Sequence, residues 1–91
     1  MLAESPLPTG WSLVVQPPSL FRRFTFTGYR DTRAFLDRLA QLSEETRLYP
    51  DLGFGTTHAN VTVYAPDGGL PGAEEHEFAR RAGLLADTPI P

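Results

Sequence analysis

The run Ser43–Gly69, SEETRLYPDLGFGTTHANVTVYAPDGG, decides how the rest of the chain is arranged. Ser43–Arg47 reads as the end of a helix, and Tyr49-Pro50-Asp51 as the turn that follows it. Leu52–Thr57 reads as a strand in which Gly53 and Gly55 permit a bulge or a close backbone approach. Ala59–Ala65 alternates cleanly, with Val61, Val63 and Ala65 on one side and Asn60, Thr62 and Tyr64 on the other. Pro66-Asp67-Gly68-Gly69 stops that strand before a last helix. Two short strands between two helices predict the hub of a small α+β sandwich, and loops at the ends of such a hub carry function. Leu48, Tyr49 and Pro66 occupy those loops, and none of them exchanges a proton usefully near neutral pH.

Working outward, Trp11, Leu13 and Val15 alternate as one face of a half-buried strand, and Gln16-Pro17-Pro18-Ser19 turns the chain. Leu20–Thr27 alternates again, with Phe24 and Phe26 opposed to Phe21, Arg23 and Thr25, so the two runs predict a hairpin. Asp31 suits a helix N-cap, and Phe35, Leu36, Leu39 and Leu42 form one apolar stripe up to about Arg47. Gly72 suits the cap of the last helix, with Glu74 and Glu75 where the helix dipole favours anions, and Phe78, Ala82 and Leu85 as its buried stripe. The order is ββαββα: a four-stranded antiparallel sheet with two helices on one face, a two-layer sandwich. The other face lacks a helical cover and carries Val14, Phe21 and Tyr64 among polar residues, which suits a partner. Residues 1–10 read as a disordered arm, 11–86 as a single domain and 87–91 as a frayed tail.

Ninety-one residues hold one core, and a core of that size is marginal unless stapled or associated. There is no cysteine, so no disulfide can supply the staple, and a homodimer or larger symmetric oligomer is expected. A net charge of −3 disfavours a nucleic-acid partner, Arg22-Arg23 being too short a basic patch to reverse that. No run is long and apolar enough for a membrane span, and the first ten residues lack the features of a signal peptide, so a cytoplasmic protein is expected. His58 and His76 have neither ligand spacing nor cysteine partners, so no metal is expected. No phosphate loop or Ser-His-Asp signature is visible, and no cofactor is expected.

From Trp11 to about Ala82 the chain resembles the pterin-4a-carbinolamine dehydratase family. The resemblance is carried by LFRRFTF, the helix TRAFLDRLAQLSEE, the Pro50 turn, the strand NVTVY and the DGG before a helix with Phe78-Ala79. The family's first helix, ahead of its Gly-Trp pair, has no counterpart, since only Met1–Thr9 precedes Gly10-Trp11. The resemblance implies dehydration of a 4a-hydroxytetrahydropterin at a His-His-Pro turn with a third histidine beyond the next hairpin. Here the proline is Pro50, the paired histidines are replaced by Leu48 and Tyr49, and the third position falls on Pro66; Glu44 matches the acidic residue ahead of the pair. Imidazoles suit that reaction because they both give and take protons near pH 7, and each lost acid–base group typically forfeits ~10²–10⁴ in rate. No catalytic residue is therefore expected, and His58, on the hairpin, is read as a surface residue rather than a replacement.

The stretch TRAFLDRLAQLSEETRLYPDLGFG is more similar to one branch of that family, encoded alongside α-carboxysome genes, that lacks the catalytic histidines and assists Rubisco assembly. That branch implies a noncatalytic assembly factor, cytoplasmic or carboxysome-associated, whose partner is the Rubisco large subunit. Tyr49, Phe54 and Tyr64 are then the candidate aromatic anchors, with Asp51 and His58 as their rim, although core packing is an equal reading of Phe54. The alternatives are a dehydratase working through Glu44 and Tyr49 in a remodelled site, and a dimerisation cofactor of a transcription regulator.

Overall fold

The computed structural model describes residues 7, 8, 10–65 and 69–87. Most of the proposed arm (Met1–Pro6 and Thr9), the site position Pro66 with its neighbours 67 and 68, and the tail from 88 to 91 lie outside the described residues. The elements follow in the order β1 (Ser12–Val15), β2 (Pro18–Thr25), α1 (Tyr29–Thr46), β3 (Asp51–Phe54), β4 (His58–Tyr64) and α2 (Ala73–Asp87). They build one four-stranded antiparallel sheet in the order β1-β2-β4-β3, so β1 and β3 are its edges. The α+β arrangement read from the sequence holds.

Cross-strand partners share a face. Leu20 opposite Val63, Arg22 opposite Val61 and Phe24 opposite Ala59 therefore define one side of the sheet, and all of these but Arg22 are buried. Onto that side α1 brings Phe35, Leu39 and Leu42, and α2 brings Phe78, Ala79 and Ala82. Trp11 meets Phe24 edge-on at 5.9 Å, and Phe24 and Phe26 lie 4.5 Å and 5.3 Å from the Phe35 ring. Both predicted helical stripes are present, with Leu36 and Leu85 half-buried at their margins. The opposite side carries Val14, Phe21, Arg23, Thr25, Asn60, Thr62 and Tyr64, and no described helix covers it.

Several boundaries differ from the sequence reading for local reasons. Pro18 and Ser19 belong to β2 rather than to the turn; at the strand start Pro18 supplies only its carbonyl, which accepts Ala65 N–H at 3.0 Å. Gly28, not Asp31, precedes the first turn of α1, and no side chain caps it. The Asp31 carboxylate is taken up by the Thr27 hydroxyl at 2.8 Å. Leu13 and Val15 do not join Trp11 in the core: they lie on the helix side, but β1 is an edge, and α2 packs over β2 and β4 instead. The third strand ends at Phe54, because Gly55 N–H turns back to His58 O at 3.0 Å and closes the hairpin. The last helix keeps Ala86 packed against the core and runs on to Asp87, one residue into the stretch read as a tail. The start of α2 carries one half of a capping box, in which the buried Glu75 accepts Gly72 N–H at 2.6 Å.

One tie fixes the β3–β4 hairpin to the helix layer. Thr32, buried in the first turn of α1, donates its hydroxyl to Thr56 O at 2.8 Å and lies 3.1 Å from Gly28 O.

Candidate partner-binding face

The site begins where α1 ends. Arg47 takes the left-handed conformation (φ 62°, ψ 25°), its N–H bonded to Ser43 O at 2.8 Å. A non-glycine residue there is uncommon, and it reverses the chain within one residue. The reversal is supported by Thr46, whose hydroxyl bonds Leu42 O at 2.9 Å and receives Leu48 N–H at 3.3 Å. The next two side chains then separate: Leu48 packs against the core, and Tyr49 is 63% exposed.

Every residue of β3 is exposed. Asp51 and Gly53 pair with Thr62 and Asn60 and so belong to the uncovered side of the sheet. Leu52 and Phe54 pair with Val61 and Ala59 on the helix side, beyond the reach of the helices, 44% and 57% exposed. Core packing is therefore not the role of Phe54. On the uncovered side Tyr64 stands two residues beyond Thr62, the partner of Asp51. Hydrogen bonding toward Asp51, and secondarily the Asp51 charge, raises the Tyr64 pKa above its ordinary value. His58 opens β4 on the same side, and its ring lies against Gly55, where a Cβ would come 2.6 Å from Cε1.

The five candidates are thus not one patch. Asp51, His58 and Tyr64 share the uncovered face, Phe54 stands on the other side of the sheet, and Tyr49 leads into the edge strand between them. The seam they have in common is β3. Sequence reasoning missed Leu52, whose exposure follows only once β3 is known to be an edge. It also missed Asn60, whose buried Oδ1 has no hydrogen-bond partner among the described residues. His76 lies on α2, whereas His58 lies on the face away from the helices, so the two histidines are not neighbours. Among the described residues no group of three His, Asp or Glu comes together as metal ligands, and no helix is long and apolar enough to cross a membrane.

Proteins of known sequence and structure place this arrangement. No family profile matches the chain. A protein of Aromatoleum aromaticum named for pterin-4-alpha-carbinolamine dehydratase is 34% identical over 89 residues, 96% of this chain and 75% of its own length. The chain belongs to the pterin-4-alpha-carbinolamine dehydratase-like family. A second member so named, from Azoarcus sp. (strain BH72), is 32% identical over 81 residues, 89% of this chain. The chain spans only 65% of the length of that relative. Among solved structures, a pterin dehydratase-like protein identified as a RuBisCO assembly factor in the alpha-carboxysome is 46% identical, with a TM-score of 0.79. The match covers 88% of this chain and 93% of that one. The family's relatives thus carry two functional names, one enzymatic and one not.

Proposed function

We propose that this family member is a noncatalytic assembly factor for Rubisco, and that it holds the large subunit through the Tyr49–Gly55 segment and the face around Tyr64. The observation that carries the reading is the Leu48-Tyr49 pair. The family resemblance assigns two histidines to these positions, and they hold an apolar side chain packed on the core beside an outward-facing ring. Neither is an imidazole, the group that both gives and takes protons near pH 7, whereas an exposed aromatic beside polar neighbours is what an interface uses. The 46% identity to a RuBisCO assembly factor supports the same choice over dehydration.

In this reading Glu44, exposed on the last turn of α1, is a surface carboxylate left from the family pattern. The protein works as a homodimer, because a small cysteine-free core with free sheet edges gains stability by association. Its place is the cytoplasm, or the carboxysome itself.

The test is capture from cells making Rubisco subunits together with the tagged protein. Newly made large subunit should co-purify. Absence of the large subunit from the eluate, together with rapid stopped-flow turnover of a 4a-hydroxytetrahydropterin, would establish the enzymatic reading instead.

A further inference from the structure

Nothing among the described residues requires a glycine at position 53. Gly53 takes no left-handed angle, and a Cβ built on it meets nothing within 4 Å, whereas the same atom on Gly55 would come 2.6 Å from the His58 ring. Glycine inside a strand weakens it, having no side chain to pack, and it often marks a close approach by a ligand or another backbone. Gly53 lies on the uncovered side opposite Asn60, with Asp51 and Gly55 before and after it on that side of β3. The backbone is therefore bare from Asp51 to the hairpin. Asp51 is exposed and is the only charge on β3. Arg23 stands opposite Asn60 on β2, two strand spacings or roughly 10 Å from Gly53. A strand that pairs with the edge of β3 lies in the plane of the sheet and leaves this face open.

We infer that this face of β3 seats an arginine of the large subunit, its guanidinium flat on the bare backbone at Gly53 and paired with the Asp51 carboxylate. This rests on the reading that the large subunit is the partner, and it names the chemistry by which that partner is recognised. A guanidinium is planar, so it lies on a strand that has no Cβ, and its fork of donors matches a carboxylate. Lysine brings a point charge that makes no use of a flat surface. An aromatic ring would lie on the same backbone but leave Asp51 without a base. Arg23 confines the cation to the β3 half of the face by like-charge repulsion, and Tyr64, 44% exposed, stands beside Asp51 at the other end.

Gly53→Val and Asp51→Asn test the inference, each measured for melting temperature, for mass by light scattering and for affinity to purified large subunit by surface plasmon resonance. Valine suits a strand better than glycine and has room within the chain, so Gly53→Val should melt no lower than the wild type. It should nevertheless bind the large subunit at least ~10-fold more weakly, because its side chain fills the seat. Asp51→Asn keeps the shape and removes the charge; it should lose at least ~10-fold as well, and its binding should depend less on salt than that of the wild type. Equal capture by the wild type and both variants refutes the arginine seat and leaves the assembly role standing. A Gly53→Val protein that melts well below the wild type shows a glycine required by the fold, and one whose mass falls to that of a monomer assigns the glycine to contact between copies; either result overturns the inference. If the wild type captures no large subunit, both readings fall together.

Discussion

Truncating Tyr49 and Leu48 separately divides binding from folding at one turn. Tyr49 is 63% exposed, so a little over a third of its side chain leaves water on folding. Full burial of a large apolar side chain stabilises by about 1.5–3 kcal/mol, and a third of that is ~0.5–1 kcal/mol. In a domain of this size 1 kcal/mol moves the melting temperature by roughly 4–8 °C, so Tyr49→Ala should fall by no more than that. Leu48 packs against the core, where leucine truncation costs ~2–5 kcal/mol if fully buried and about half as much at a half-buried site. Leu48→Ala should therefore melt ~5–15 °C lower. For capture of the large subunit the order reverses: a hot-spot tyrosine is worth ~2 kcal/mol or more, so Tyr49→Ala should raise Kd about 30-fold. Differential scanning calorimetry and surface plasmon resonance on the same samples read both quantities. A Tyr49→Ala protein that melts far below the wild type places the ring in the core and refutes the docking site. One that melts and binds as the wild type puts the contact surface elsewhere.

Thr32→Val removes the hydroxyl that ties α1 to the β3–β4 hairpin and leaves Thr56 O without that donor; urea denaturation should show a loss of ~1–3 kcal/mol. The Glu77 carboxyl titrates below its ordinary range because Arg80 hydrogen-bonds it, with the charges of Arg80 and Arg81 adding to the effect against desolvation. A depressed carboxyl pKa stabilises the fold above its unfolded value and ceases to do so as pH falls through the folded one. Arg80→Gln should thus return the Glu77 midpoint upward in an NMR titration, and an unmoved midpoint would reject that cause. Light scattering at micromolar concentration should give the mass of a dimer or a larger symmetric oligomer, and a purely monomeric sample counts against association through the free edges.

What the sequence made legible was periodic. The Ala59–Ala65 alternation located the central strand and both its faces, and the stripe Phe35-Leu39-Leu42 located the helix above it. Edge position was not legible, because it depends on which strands pair. Leu13 and Val15 read as buried, yet they stand at the rim where no helix reaches; Phe54 read equally as core or contact for the same reason. The cap of α1 was misplaced because Asp31 has the right chemistry for it, while the hydroxyl of Thr27 claims its carboxylate. Within the site, a left-handed Arg47 could not be foreseen, and it is that residue which sends Leu48 inward and Tyr49 outward.

The most direct test of the central claim is the yield of assembled Rubisco. Large and small subunits of an α-carboxysomal Rubisco would be expressed with this protein, without it, and with its Tyr49→Ala variant, and the assembled enzyme quantified on native gels. The account predicts more assembled enzyme with the wild-type protein and a yield near the unassisted level with the variant. Equal assembly in all three would contradict it.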